Sequence, residues 1–267
     1  MRQNYCLLIQ YDGTRYSGWQ RQGNTGNTIQ EKLEAILEKL SGLPCEVHGS
    51  GRTDGGVHAF GQTANFHLDT PLAPDELMDY INRYLPADIA VRDIALAPER
   101  FHSRLQAVSK TYDYRILTTP ARDVFGGRFS WPLGRSLDIA AMRASADQLT
   151  GTHDFIHFCD NKRMKKSTVR TITAIDIRET CRDGLCGLLI SYTGDGFLYH
   201  MVRRLTGCLV QVGSGKLGPQ DMEALLLCGA PEPGQIPLAP ACGLMLRDVS
   251  YATPVFDVPG ARSEPIT

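Results

Sequence analysis

TIQEKLEAILEKLSGLP, residues 28–44, carries both of its own ends. Thr28 followed three residues later by Glu31 is a capping-box pattern, in which two side chains satisfy the open N–H groups of a helix start. Ile29, Leu33, Ile36, Leu37 and Leu40 share one face at helical spacing, and Ser41-Gly42 with Pro44 end the run. The pattern predicts an amphipathic helix with one buried stripe. Upstream, YCLLIQY (residues 5–11) is short, apolar and rich in strand formers. Downstream, CEVHG (45–49) and QTANFHL (62–68) read as strands around a glycine-rich loop. Residues 74–85 read as a second helix with Pro74 near its start, stopped before Pro86, and IAVRDIALA (89–97) reads as a strand. The order is β-α-β-β-α-β.

The second half repeats that order. KTYDYRIL (110–117) is a strand, 137–149 a helix, VRTITAIDIR (169–178) and GLLISYT (187–193) strands, 197–212 a helix, and CGLMLRDVSY (242–251) a last strand, with a short extra helix over 219–228. Two such units predict an α+β protein of two ferredoxin-like β-α-β-β-α-β halves, each an antiparallel sheet covered on one face, with a cleft between the halves as the natural binding site. The expected division is 1–98, 99–251 and a loosely held tail over 252–267.

Composition narrows the class. With 42% hydrophobic and 21% charged residues the chain is an ordinary globular protein. No apolar run reaches the roughly 18 residues of a membrane span, and the opening apolar run is too short for a signal peptide, so a cytoplasmic protein is expected. Eight cysteines form no C-x-x-C pair and no zinc spacing, so reduced, partly buried thiols are expected. Net charge is -1, yet thirteen Lys and Arg face six Asp and Glu between residues 100 and 170, a local excess of seven. A local basic field of this kind suits a phosphate backbone. NKRMKK (161–166) lies within it, and by itself such a run reads first as a solvated loop.

SGRTDGGVHAF (50–60) is the most informative string. Asp54-Gly55-Gly56 has the residue types of a hairpin turn. A turn accounts for the glycines, but it does not require Arg52, Thr53 and His58 around one carboxylate. This loop resembles the catalytic loop of TruA-type tRNA pseudouridine synthases. YDGTRYSGWQRQ (11–22) is similar to that family's opening signature, and SKTYDYRI (109–116), FLYHMVRRLTG (197–207) and GLMLRDVSY (243–251) resemble its remaining blocks in the same order. One departure is Gly55, where the family usually has Ala after its catalytic Asp.

The resemblance implies that Asp54 is the catalytic carboxylate, Tyr112 the aromatic that contacts the target base, Arg203 the basic partner of the carboxylate and Arg52 a nucleotide-positioning arginine. It implies action on uridines of the tRNA anticodon stem-loop, at tRNA positions 38–40, by a homodimer. The reaction breaks a carbon–nitrogen glycosidic bond, turns the uracil and rejoins it through carbon, so no cofactor and no metal is expected. An ionised carboxylate is needed near ribose and base, and a neighbouring guanidinium keeps it ionised. Carbon 5 of the turned base must lose a proton, for which a stacked phenol is a suitable acceptor. Without the resemblance, Tyr112 reads as a packed strand residue, and one of Arg203 and Arg204 as surface charge beside the apolar stripe Leu198, Met201, Val202 and Leu205.

Two other classes fit parts of the sequence. Asp12-Gly13-Thr14 after an apolar strand suggests a haloacid dehalogenase-type phosphatase, but that class needs an Asp at position 10, which is Gln10. A non-catalytic RNA-binding or chaperone protein shares the basic segment and has no need of Asp54 beside arginines.

Overall fold

The structure, a computed structural model, describes residues 1–160, 167–227 and 236–256. The chain is mixed α+β with largely antiparallel strands and packs as two compact units, Met1–Val108 with the chain from Met245 onward, and Ser109–Leu244.

In the first unit β1 (Gln3–Tyr11), α1 (Ile29–Ser41), β2 (His48–Gly49), β3 (His58–Leu68), α2 (Pro74–Tyr84) and β4 (Ile89–Leu96) follow in the expected order. β1 lies between β4 and β3, antiparallel to both, and β2 lies antiparallel on the far side of β3. That is the split β-α-β arrangement of a ferredoxin-like unit. Thr28 caps α1 by accepting the Glu31 N–H at 3.3 Å, and Gly42, at φ +71°, closes it with an N–H to the Glu38 carbonyl. Ile29, Leu33, Ile36 and Leu37 are buried as the periodicity requires.

β2 keeps only two of the five residues expected to pair. The Val47 N–H donates to the Glu34 carboxylate at 3.0 Å instead of to a strand neighbour. At the opposite edge, the Asn82 amide of α2 accepts the Val91 N–H and donates to the Val91 carbonyl, both at 2.8 Å, covering groups that a sheet edge would leave open.

The second unit contains β5 (Ala107–Leu117), β6 (Trp131–Pro132), α3 (Ile139–Leu149), β7 (Gly151–Asp154), β8 (Val169–Arg182), β9 (Leu185–Gly194), α4 (Met201–Gly213) and α5 (Pro219–Leu227). Antiparallel pairing gives the order β5-β9-β8-β7, with β6 parallel to the end of β5. α4 starts four residues later than its apolar pattern suggests. His200 stands just before it in the left-handed region, φ +65°, and breaks the helical path from Phe197.

One strand does more than expected, and two expectations change. The last strand, β10 (Leu244–Tyr251), also pairs parallel with β3, Met245 opposite His58 and Leu246 opposite Ala59. Gly61 permits this, because a Cβ there would lie 2.6 Å from the Arg247 carbonyl oxygen. The join falls after Val108 rather than near Pro98. Fully buried Ser103 anchors the intervening stretch by donating its N–H to Asn65 at 2.9 Å and its hydroxyl to the His48 carbonyl. Cys181 and Cys186 form a disulfide instead of two thiols, because the β8–β9 register sets them face to face with Cα atoms 4.1 Å apart. Cys6, Cys45, Cys159 and Cys208 are buried thiols. No helix among the described residues is long and apolar enough to cross a membrane.

Candidate active site

The Asp54 loop connects β2 to β3, and the chain on either side of it is pinned. Ser50, fully buried, donates its N–H to the Thr63 carbonyl at 2.7 Å and its hydroxyl to Gln62, whose amide returns to the Gly51 carbonyl at 2.9 Å. Beyond Asp54 the chain turns tightly, with the Val57 N–H on the Asp54 carbonyl at 3.1 Å and Gly56 at φ +79°. The glycine at 56 is therefore required by the turn. Asp54 itself is half-buried.

Residues 11–22 form a cradle beneath this loop. The Trp19 N–H donates to the Thr53 carbonyl at 3.1 Å, the Gly56 N–H donates to the Tyr16 carbonyl at 3.3 Å, and the Tyr11 and Thr53 hydroxyls share a hydrogen bond of 2.8 Å. Burial of the Tyr11 phenol raises its pKa to about 12, so it stays protonated. Gly13 passes so close to Val57 that a Cβ would lie 1.9 Å from the carbonyl oxygen, and its N–H donates to buried His58 Nδ1 at 3.1 Å. Trp19, 1% exposed, lies over Gly49, where a Cβ would meet the indole at 2.4 Å. The Tyr16 hydroxyl donates to Asp88 at 2.6 Å, and the same carboxylate pairs with Arg15. Burial works against the charge on Asp88, but these two partners outweigh it and hold its pKa below the ordinary value.

Arg52 is exposed, and its Nε donates to Gln20 Oε1 at 3.1 Å. Arg52 and Asp54 thus share one loop in the first unit, whereas Tyr112 and Arg203 belong to the second. Tyr112 is on β5 opposite Tyr192, 7% exposed, with its ring edge-on to Phe197 at 5.3 Å. Arg203 is half-buried on α4, and its Nε donates to the Ala239 carbonyl at 2.8 Å. Its neighbour Arg204 turns to Asp160, which also meets His200 Nδ1. The two adjacent arginines therefore have separate surroundings.

The site residues with no individual signal in the sequence are Gly13, Tyr16, Gly18, Trp19 and Gln20. Their signal was collective, a segment with two glycines and closely spaced aromatics that fits neither helix nor strand. The basic run 161–166 lies outside the described residues.

The sequence profile described as tRNA pseudouridine synthase matches residues 7–104 and 145–252. The chain is 43% identical over 248 residues to a tRNA pseudouridine synthase A of Bacillus sp. (strain KSM-64), covering 93% of this chain and 99% of that one. It is 44% identical over 246 residues to a tRNA pseudouridine synthase A of Syntrophotalea carbinolica, covering 92% and 95%. A third, tRNA pseudouridine synthase A 1 of Clostridium tetani, is 41% identical over 248 residues, covering 93% and 99%. These matches take in the cradle, the Asp54 loop and β10, and they displace the phosphatase and chaperone readings: the chain belongs to the tRNA pseudouridine synthase family.

Proposed function

We propose that this isomerase converts uridine to pseudouridine in the anticodon stem-loop of tRNA with Asp54 as its nucleophile. The observation that carries the reading is the cradle. A half-buried carboxylate sits in a turn whose backbone is held from below by Trp19 and Tyr16. A loop fixed in this way suits a nucleophile that must meet a reacting centre to within a fraction of an ångström.

Arg203 is the guanidinium that keeps the carboxylate ionised, since it carries its charge at any working pH and binds carboxylates through two nitrogens. Tyr112 stacks on the uracil and accepts the proton lost from carbon 5 after the base has turned. Arg52 holds a phosphate or fills the space left by the uridine as it leaves its stack. Atoms balance within the substrate: the glycosidic C–N bond breaks, a C–C bond forms, carbon 5 loses a proton and the freed nitrogen gains one. We place the enzyme in the cytoplasm as a homodimer, for which sedimentation analysis is the check.

The decisive measurement maps pseudouridine in an unmodified tRNA transcript incubated with the parent and with Asp54→Asn. The expected outcome is modification confined to the anticodon stem-loop by the parent and none by the variant, with tRNA affinity within several-fold. Substantial turnover by the variant removes Asp54 from the nucleophile role.

A further inference from the structure

Arg52 is joined to the body of its unit by a one-way chain of hydrogen bonds, and from it we infer that Gln20 is a positioning residue, holding the Arg52 guanidinium ready for a tRNA phosphate. The inference rests on the reading of Arg52 as a substrate-binding arginine.

Arg52 Nε donates to Gln20 Oε1 at 3.1 Å, Gln20 Nε2 donates to Gln30 Oε1 at 2.7 Å, and Gln30 Nε2 donates to Glu34 Oε1 at 2.8 Å. A glutamine amide has an acceptor on one side and donors on the other, so an isolated one can face either way. Here the two ends of the chain remove that freedom. An arginine has only donors and an ionised carboxylate only acceptors, so one orientation of each amide completes all three bonds. Backbone groups reinforce it: the Arg21 N–H donates to Gln30 Oε1 at 2.9 Å and the Val47 N–H to Glu34 Oε1 at 3.0 Å. Gln30 and Glu34 are 5% and 8% exposed, where little water competes and successive hydrogen bonds polarise one another.

The anchored end of Arg52 is its Nε. Among the described residues its two terminal nitrogens make no hydrogen bond, which leaves the outer fork for a bidentate contact. An exposed arginine loses considerable side-chain freedom when it grips a ligand, and a guanidinium held in advance loses less. Gln20 therefore contributes to tRNA binding without touching the reacting atoms.

A double-mutant cycle tests this with the full chain and an unmodified tRNA transcript, measuring kcat and KM for Gln20→Met, Arg52→Met and the pair. We expect each single variant to raise KM about tenfold, the scale of one lost hydrogen bond to a charged group, with kcat within about twofold of the parent. The pair should match Arg52→Met alone, because Gln20 acts only through Arg52. Melting curves near that of the parent show that the variants fold. Additive effects in the pair, or a Gln20→Met enzyme with unchanged KM beside an impaired Arg52→Met, overturn the relay. An Arg52→Met enzyme with unchanged KM overturns the reading of Arg52 itself, and with it the need for a positioning residue.

Discussion

Gly18 passes beneath the Asp54 loop at a distance that admits no side chain: a Cβ there would lie 2.5 Å from the Thr53 carbonyl oxygen and 3.1 Å from the Asp54 carbonyl carbon. Its φ of +94° is also one that residues with a Cβ rarely adopt. Both atoms it would meet are backbone, so the loop has to move. Gly18→Ala should lower stability by about 1–3 kcal/mol, the usual scale for a backbone forced out of place. It should also reduce kcat by up to about 100-fold, since a displacement near 1 Å at the reacting group has that effect. A thermal melt with single-turnover kinetics checks both, and an alanine variant of normal rate would mean that the cradle does not set the position of Asp54.

Gly55 gives the opposite expectation although it adjoins the same carboxylate. A Cβ there finds its nearest neighbour at 3.5 Å, the Tyr16 carbonyl oxygen, with Ser17 atoms at 3.7 Å, which is ordinary contact. Its φ is not in the left-handed region. Gly55→Ala should therefore raise stability by about 0.4–1 kcal/mol by restricting the unfolded chain, with kcat and KM unchanged. Denaturant titration decides it; a destabilised or slowed alanine variant would show that this position uses glycine's extra freedom during turnover.

This contrast also marks what can be read from residues alone. Helix α1 was legible because Thr28, Glu31, Gly42 and the apolar stripe act locally, within a few turns of chain. The Asp54 loop was legible as a site because its polar neighbours exceed what a turn needs. The rest depends on partners distant in sequence. Nothing near Gly61 announces that β10 will arrive from residue 245 onward, and nothing near Val47 announces that Glu34 will take its N–H and delay the start of β2. The roles of Trp19 and Tyr16 are likewise invisible until Thr53 and Gly56 are beside them.

Tyr112→Phe and Tyr112→Leu separate two roles of one ring. The phenylalanine variant keeps the edge-on contact with Phe197, so its fold and its stacking on a base should persist. If the phenol accepts the carbon-5 proton, kcat should fall by about 100-fold or more with KM little changed, the range for loss of a general base. The leucine variant should in addition lose binding worth roughly 1–3 kcal/mol. Stopped-flow binding alongside turnover distinguishes them, and a near-normal rate for Tyr112→Phe would reduce Tyr112 to a stacking surface.

Lys162, Arg163, Lys165 and Lys166 carry the local positive excess furthest. A cation that neutralises a phosphate releases condensed counterion, so replacing all four should weaken tRNA binding. The log–log dependence of affinity on salt should flatten by somewhat under one unit for each phosphate no longer neutralised. The rate at saturating tRNA should hold, because such side chains position the substrate without reaching the base. Filter binding across a salt series is the measurement, and an unchanged slope would make the run a solvated loop.

The adjacent arginines Arg203 and Arg204 should divide between chemistry and stability. Arg204 is 20% exposed and pairs with Asp160, which is 29% exposed and also bonded to His200; burial opposes the charge on Asp160, but these two partners outweigh it and hold its pKa below the ordinary carboxylate value. A carboxyl whose pKa is depressed by folding adds stability at every pH above its unfolded pKa, and that contribution fades as pH falls through the folded value. Asp160→Asn should therefore melt below the parent at neutral pH, by about 1 kcal/mol for a partly exposed cluster, and the gap should close in acid below the ordinary carboxylate range. Its kcat should stay near the parent's, because Arg204 and Asp160 hold the approach to α4 and do not act on the base. Arg203→Met should behave in the reverse way, with a melting curve close to the parent's and a large loss of kcat, since its guanidinium is assigned to the nucleophile. Paired melts from pH 3 to pH 8 and turnover at neutral pH test both; a gap that persists in acid would remove the charge from the Asp160 account, and an active Arg203→Met enzyme would return Arg203 to the surface.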